Sequence, residues 1–335
     1  ALELEIQGTQ GECKHCNGGR GRTGTIIGVN QAQCKRSKIG NVVVVARKTT
    51  EVAVHQEFRG KRIHRRLAIK GVDASKAEGA DFSYSLSTNP VIVNYKKKEK
   101  EYSPFPHPII QLVKIRDVSD FIRYWRRRKN VPWIQAMKIK YGLHLLKTYN
   151  LFRIGHVKKS SKGQGLRINH AGIFDERIDV FWDTVKEDYL FIVERTKGHM
   201  NWRFCDLRGG DYDVFVAEDD DRILGYIVLK VNRGDQDHFV GYIVELLTLT
   251  GRSDVVDLLL DQAENYFKVN NVNAVYFTVV SGHPYEVALK RWGFMDSRRR
   301  PVVFYRVLRH FEGLEKFRNA PPEKLHYQFG EFDSI

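Results

Sequence analysis

The sequence predicts an α+β (α/β layered) protein of two domains, each a mixed, mostly antiparallel sheet flanked by helices. Length is the first reason, because 335 residues exceed the roughly 250–300 at which a single hydrophobic core stops growing. The second reason is that β-rich runs and helical periodicity alternate in both halves of the chain. The third is composition, because 42% hydrophobic and 28% charged residues are ordinary for a globular protein.

Strands and two helices are predicted for the first half. Runs rich in β-branched residues predict strands at 24–29, 40–46, 50–54, 81–86 and 108–115. Helical spacing predicts a basic helix from Phe58 to about Val72. Asn89 and Pro90 begin a second helix that runs through Tyr95, because Pro is well suited to the first helical position.

The second half has a clearer pattern. Strand signals fall at 212–217, 223–231, 242–247, 274–280 and 302–307. Apolar periodicity predicts helices at 181–193, from about 253 to 267, and at 283–292. The predicted order of helix, three antiparallel strands, helix, strand, helix and strand is typical of a layered domain with a mixed sheet.

Residues 117–172 differ from both halves, because they combine helical spacing with a dense basic cluster and end in a Ser- and Gly-rich stretch that is typical of an exposed linker. We therefore divide the chain into a first domain (1–116), a basic helical linker (117–172), a second domain (173–310) and a C-terminal tail (311–335).

Charge is distributed unevenly. Residues 1–175 hold 34 Lys and Arg against 13 Asp and Glu, whereas residues 176–335 hold 21 against 27. The basic half is suited to phosphate, whether in a nucleotide cofactor, in nucleic acid or at an anionic membrane surface. No apolar run approaches the 18–20 residues that span a bilayer, and four Cys do not form a disulfide scaffold in a chain of this length. We expect a cytoplasmic protein without a transmembrane segment.

The most informative segment is a strand, turn and helix at 52–67. The Gly-containing turn directs free backbone N–H groups, together with the positive end of the helix dipole, at whatever binds there. Formal charge is added by Arg59, Lys61, Arg62, Arg65 and Arg66. A diphosphate is the natural ligand, and the alternative is an ordinary turn with a solvated basic face.

This segment resembles the acyl-CoA loop of the GNAT acyltransferase superfamily, written V-x-P-x-[YF]-R-G-K-G-I-G. The matching positions are Val54, Phe58, Arg59, Gly60, Lys61 and Ile63. The chain departs from the pattern at Arg62 and His64, where the family has Gly. The resemblance implies that the loop, including Arg62 and His64, binds the pyrophosphate of acetyl-CoA.

The resemblance extends to other segments. Residues 82–95 are similar to the strand and helix that follow the family's loop, with Asn89 among the expected cofactor contacts and Tyr95 in the place of the general acid. Residues 221–228 and 285–294 resemble the same superfamily again, but the segment 247–256 lacks the loop. The resemblance implies two tandem GNAT-like domains with catalysis in the first.

The implied reaction is direct attack of an amine on an acyl-CoA thioester. It needs a base, donors for the oxyanion and an acid for the thiolate. Glu51 lies on the strand before the loop and is our candidate base, and His55 follows it on the same strand face. A solvent-facing Glu and a structural His are the alternatives.

Two further features are open to a functional and an ordinary interpretation. Cys13 and Cys16 have the spacing of half a zinc knuckle, but no second C-x-x-C follows, and we expect no metal. The basic aromatic stretch 121–129 is suited to nucleic acid, to an anionic membrane surface or to a solvated helix whose aromatic side chains pack inward, and we favour the helix.

The predicted function is therefore an acyl-CoA-dependent N-acyltransferase, with acetyl-CoA as the donor and an unidentified amine as the acceptor. The alternative is a non-catalytic GNAT-fold protein that binds nucleic acid or another polyanion through its basic N-terminal half.

Overall fold

The computed structural model describes residues 19–20, 26–129, 132, 135–143, 165–235 and 238–332. In chain order its strands are β1 (Gly19–Arg20), β2 (Ile26–Ile39), β3 (Val42–Val54), β4 (Phe82–Ser87), β5 (Ser103–Pro104), β6 (Ile109–Ile115), β7 (Arg167–His170), β8 (Phe191–Val193), β9 (Asp213–Asp219), β10 (Arg222–Asp235), β11 (His238–Thr248), β12 (Ala274–Val280), β13 (Met295–Asp296) and β14 (Val302–Val307).

Its helices in the same order are α1 (Ile63–Ala77), α2 (Pro90–Lys98), α3 (Val118–Lys129), α4 (135–143), α5 (Arg177–Val185), α6 (Lys197–Met200), α7 (Ser253–Val269), α8 (Pro284–Arg291) and α9 (Leu314–Arg318). Within the described ranges, none of these helices combines the length and the apolar character that crossing a membrane requires.

The first compact unit comprises the described residues up to Pro108, together with Leu190–Glu194 and Pro301–Pro321. Its sheet has the order β1-β2-β3-β4-β14-β5, and β8 pairs with β2. Aromatic side chains form part of its core. The Phe82 ring is stacked on Tyr305 at 5.3 Å between ring centroids, and Phe317 meets Phe82 edge-on at 5.6 Å.

The second compact unit comprises the described residues of Ile109–Tyr189, Arg195–Arg300 and Pro322–Ile335. Its sheet has the order β13-β6-β12-β11-β10-β9-β7. Helices α7 and α8 contribute Leu259, Phe267 and Leu289 to a large buried apolar cluster that also includes residues of the sheet. Trp292, which follows α8, is fully buried and donates its indole N–H to Asp257 at 2.8 Å.

Each sheet includes a strand that is distant in the chain from its neighbours. The strand β14 lies between β4 and β5 in the first unit, and β6 lies between β13 and β12 in the second. The predicted boundaries placed β6 in the first domain and β14 in the second. Local periodicity identified both strands correctly, but it carries no information about which strand pairs with which.

Two local predictions differ from the structure. The three short strands expected between 24 and 54 are two long strands, β2 and β3, which form a hairpin. The helix predicted at 181–193 ends at Val185, and Phe191–Val193 forms β8. Every residue of β8 is buried, and periodicity alone does not distinguish such a run from a buried helix.

Candidate functional site

A gap in the first sheet is the main feature of the candidate site. The parallel pairing of β3 and β4 joins only Ala46–Lys48 to Phe82–Tyr84. Both strands continue beyond this pairing, β3 to Val54 and β4 to Ser87. From residue 49 onward β3 therefore keeps β2 as a neighbour on one side, and its backbone N–H and C=O groups on the other side face the gap. Unpaired groups of this kind bind a ligand that brings its own amides and carbonyls.

A β-bulge lies in the part of β3 that borders the gap. Asn30 of β2 pairs with Val52, but Ala32, two residues later, pairs with Thr49. Two residues of β3, Thr50 and Glu51, therefore oppose the single residue Gln31 of β2, and one of the two is extra. Bulges re-aim backbone and side-chain groups and are frequent beside active sites. The bulge places a locally twisted stretch of backbone at the edge of the gap.

The turn after β3 keeps the conformation that its glycine pattern suggested. After a 3₁₀ turn at Gln56–Phe58, Gly60 has φ +80° and Arg62 has φ 57° and ψ 19°, both in the left-handed region. A side chain in this region is strained by roughly 1–2 kcal/mol. The replacement of Gly by Arg at position 62 therefore preserves the path of the turn at an energetic cost. His64 lies in the first turn of α1, where Gly is not required.

Apolar residues form the base of the turn. Ile63 and Leu67 of α1 are buried, and Val54 and Phe58 pack against them. Gly28 on β2 leaves room for this contact, because a Cβ at Gly28 would lie 3.0 Å from Leu67 Cδ1, closer than most Cβ contacts. The predicted contacts Val54, Phe58 and Ile63 thus belong to the packed support of the turn.

The tip of the turn carries exposed positive charge. Arg59, Lys61 and Arg62 are exposed, and the Lys61 ammonium lies 4.8 Å from the centre of the Phe58 ring. The first turn of α1 contains no acidic residue, and the side chain of its N-cap residue Arg62 makes no capping hydrogen bond. The first N–H groups of a helix have no partner within the helix. The turn therefore combines these N–H groups with cationic side chains, as an anion requires.

Other predicted site residues are distributed around this turn. Asn89 caps α2, because its side-chain oxygen accepts the Val91 N–H at 2.9 Å. His64 and Tyr95 are brought together, with ring centroids 6.4 Å apart in an edge-on arrangement. Burial, and then the charge of Lys96, lowers the pKa of His64. Burial, followed by Glu99, raises the pKa of Tyr95.

Some predictions concern residues that the structure does not describe. Glu51 lies on β3, but its side chain is outside the described part. Cys13 and Cys16 are outside the described residues as well. Among the residues that are described, no group of three or more His, Cys, Asp and Glu side chains is arranged to hold a metal ion.

Sequence reasoning missed Lys96, which is partly buried beside the gap. Its ammonium group donates a hydrogen bond to Ser85 Oγ. Ser85 directly follows Tyr84, the last residue of β4 that pairs with β3. In the sequence, Lys96 is the first of three consecutive Lys residues, a pattern typical of a solvated helix face. Only the packing of α2 against β4 distinguishes it from Lys97 and Lys98, which are exposed.

The second sheet has the same gap and the same bulge. Its parallel pairing joins only Val240–Tyr242 of β11 to Ala274–Tyr276 of β12, although β11 continues to Thr248. Val228 of β10 pairs with Glu245, and Leu229 pairs with Ile243, so that an extra residue of β11 forms a bulge.

In the second unit, the C-terminal segment (residues 322–332) covers the edge of β11 that extends beyond its pairing with β12. The Gln328 side-chain amide accepts the Leu246 N–H at 2.7 Å and donates to the Leu246 carbonyl at 2.9 Å. Phe329 packs edge-on against Tyr242 at 5.4 Å. Gly330 passes so close to Glu245 that an added Cβ would lie 2.3 Å from Glu245 Oε2. The edge that is open in the first sheet is thus paired in the second.

A buried ionic cluster anchors that segment. Glu245 accepts hydrogen bonds from Arg195 Nε at 2.5 Å and from the Tyr226 hydroxyl at 2.7 Å. Arg195 Nη2 also donates to Glu331 of the C-terminal segment at 2.8 Å. Burial by itself would raise the pKa of Glu245, but Arg195 and His326 overcome this effect and lower it to about 2.

The turn after β11 lacks the unpaired positive charge that the turn after β3 carries. Arg252 pairs with Asp254 at 2.7 Å, and Asp254 lies in the first turn of α7. A carboxylate at this position repels an anionic ligand and already interacts favourably with the helix dipole. The two units share one architecture, but among the described residues only those of the first unit form an open edge beside an anion-attracting turn.

This architecture is the GNAT-like fold in its tandem form, as the sequence predicted. The structure is similar to N-myristoyltransferase of Saccharomyces cerevisiae with bound myristoyl-CoA, at 12% identity over 89% of this chain and 70% of that one, with a TM-score of 0.57. It is also similar to a conserved Enterococcus faecalis protein described as a probable N-acyltransferase (11% identity, 88% of this chain and 62% of that one, TM-score 0.52).

A GCN5-related N-acetyltransferase from Anabaena variabilis is similar at 11% identity over 86% of this chain and 61% of that one, with a TM-score of 0.53. The chain therefore spans about three fifths to seven tenths of the length of these proteins. At such identities the similarity establishes the fold. No family model matches the sequence, and no curated protein sequence matches it.

Proposed function

We propose that the protein is an acyl-CoA-dependent N-acyltransferase that binds its donor in the first unit. The observation that carries this proposal is the open edge of β3 beside the cationic turn at 55–62. The diphosphate of the donor binds to the N–H groups of the first turn of α1 and to the side chains of Arg59, Lys61 and Arg62. These groups supply both the directed hydrogen bonds and the charge that a diphosphate needs.

The remainder of the donor lies along the gap between β3 and β4. The amide groups of the donor pair with the free edge of β3, and the backbone N–H groups near the bulge stabilise the oxyanion that forms when the amine attacks. Glu51 as the base and Tyr95 as a proton donor stay predictions of the sequence. A cytoplasmic location also stays a prediction.

The acyl group is the least defined part of the donor. Two of the similar structures are described as an N-acetyltransferase and as an N-myristoyltransferase with bound myristoyl-CoA. We propose acetyl-CoA as the first donor to test and myristoyl-CoA as the second. We further propose that the second unit does not bind a donor, because its C-terminal segment pairs with the corresponding edge.

Calorimetry on the whole chain tests the proposal. We expect acetyl-CoA to bind with micromolar affinity, about −8 kcal/mol, and Arg59→Ala to weaken binding by about tenfold or more. Arg222→Ala is the matched control, because Arg222 is an exposed arginine of the second unit. No binding of either donor at millimolar concentration would contradict the proposal.

Release of free CoA thiol in the presence of an amine panel tests catalysis. The panel contains amino acids, polyamines, amino sugars and a peptide with an N-terminal Gly. The alternative function, polyanion binding, predicts instead that the protein binds single-stranded RNA with a steep salt dependence and releases no CoA.

A further inference from the structure

A lysine ammonium group lies at the point where β3 and β4 separate. Lys96 of α2 donates a hydrogen bond to Ser85 Oγ, and Ser85 directly follows Tyr84, the last residue of β4 that pairs with β3. The ammonium lies 5.2 Å from the centre of the Tyr102 ring and 5.9 Å from that of Phe304 on β14. Packing therefore holds this cation on the side of the sheet that carries α2, one residue beyond the part of β4 that pairs with β3.

The groups around Lys96 are cationic, neutral or aromatic. Arg47 approaches from β3 and His64 from α1, and Tyr102 follows α2. Glu99, which directly follows α2, interacts with Tyr95. Among the described side chains, no carboxylate forms an ion pair with Lys96. Burial, and then the charge of Arg47, lowers the pKa of Lys96 to about 8.

An acid at this position has a clear use in the proposed reaction. The thiol of the leaving group has an ordinary pKa of about 8.5, so the thiolate must be protonated at neutral pH. A proton donor is most effective when its pKa lies near the working pH and near that of the group it protonates. Lys96 meets both conditions, whereas Tyr95 has a raised pKa.

We propose that the Lys96 ammonium protonates the leaving thiolate of the acyl donor. The inference rests on the proposed function of the first unit. The neutral amine attacks the thioester carbonyl and forms the C–N bond. The C–S bond then breaks, and its electron pair remains on sulfur. Lys96 Nζ gives one proton to sulfur and is reprotonated from solvent, and the attacking nitrogen loses one proton to a base. The products are the amide and the free thiol. No proton is released overall, because the proton lost from nitrogen balances the one that solvent returns to Lys96.

A comparison of two donors tests this role. Acetyl-CoA has a thiolate that needs protonation, whereas S-acetyl-4-nitrothiophenol releases a stable thiolate that does not. With the best acceptor from the amine panel, we expect Lys96→Met to lower kcat with acetyl-CoA by about 100-fold or more. We expect the same variant to retain acetyl-CoA affinity and to use the nitrothiophenyl donor within about threefold of the wild type.

The control variant is Lys97→Met, because Lys97 is an exposed residue of the same helix. It should behave as the wild type with both donors. Lys96→Arg retains the positive charge, but the pKa of a guanidinium is above 12. This variant should therefore fold and bind acetyl-CoA, and its kcat with acetyl-CoA should be as low as that of Lys96→Met. It keeps the test informative if Lys96→Met does not fold.

Four results would overturn the inference. An equal loss with both donors would show that Lys96 supports structure alone. Full activity of Lys96→Met, or a donor-selective loss in Tyr95→Phe in its place, would assign the proton to another group. A wild-type protein that binds acetyl-CoA but releases no CoA with any amine would refute the proposed catalysis, and this inference with it.

Discussion

The side-chain amide of Gln328 hydrogen-bonds both backbone groups of Leu246, at 2.7 Å to the N–H and 2.9 Å to the carbonyl. The two residues are 82 positions apart in the chain. This pair completes the edge of β11 in the way a neighbouring strand would. In the first sheet the corresponding edge of β3 extends beyond its pairing with β4. This difference is the structural basis for assigning donor binding to the first unit.

Gln328→Ala should destabilise the second unit, because it leaves the buried N–H and carbonyl of Leu246 without these partners. The expected loss is about 1–3 kcal/mol in the free energy of unfolding, measured by urea denaturation. Gln135→Ala, at an exposed position, should change the free energy little. Acetyl-CoA affinity should remain that of the wild type, and a large loss of affinity would contradict a donor site in the first unit.

Substitutions of Arg62 separate its backbone strain from its charge. Arg62→Gly and Arg62→Ala both remove the guanidinium, but only Gly adopts φ 57° without strain. We expect the free energy of unfolding of the Gly variant to exceed that of the Ala variant by about 1 kcal/mol. Thermal unfolding of the two variants measures this difference. Both should bind acetyl-CoA more weakly than the wild type. Equal stabilities would show that the turn relaxes in the Ala variant.

Glu245→Gln should be strongly destabilising at pH 7, because Arg195 loses a buried ionic partner. The expected cost is about 3–5 kcal/mol. Glu323→Gln, at an exposed position of the same C-terminal segment, is the control and should cost little.

The stabilisation by Glu245 should depend on acid pH. Its pKa is about 2 in the folded protein, below the usual 4.5, so the folded state holds the proton less tightly than the unfolded state. The stabilisation is therefore fully present above pH 4.5 and is lost as the pH falls towards 2. The difference in free energy of unfolding between the wild type and Glu245→Gln should shrink over this range. A constant difference would mean that Glu245 does not titrate as its ion pair requires.

Lys96 should make stability depend on alkaline pH, again with stability rising as the pH rises. Its pKa is about 8 in the folded protein and 10.5 in the unfolded chain, so the unfolded state binds more protons between these values. The stability of the wild type relative to Lys96→Met should therefore rise from pH 8 to pH 10.5, by up to about 3 kcal/mol. Urea unfolding at three pH values measures this, and a flat difference would show that the ammonium is solvated.

Much of the fold and part of the site could be predicted from local sequence. Periodicity identified β4, β12, β14 and α7 within a few residues, because each carries its own apolar pattern. It failed at Phe191–Val193, because a fully buried run of three residues has no pattern that separates a strand from a helix. The departure at Arg62 was visible in the sequence, but its consequence was not, because the backbone conformation of one residue depends on the packing around it.

The sequence by itself determined the tandem GNAT-like architecture and the cationic turn at 55–62, because both follow from residues that are close together in the chain. Only the tertiary structure decided that β6 and β14 lie in sheets away from their sequence neighbours, that Gln328 pairs with the edge of β11, and that Lys96 is partly buried while Lys97 is exposed. The physical reason is that contacts between distant segments set strand pairing and burial. Before the chain is packed, each segment has hydrogen-bonding and apolar groups that are compatible with several partners.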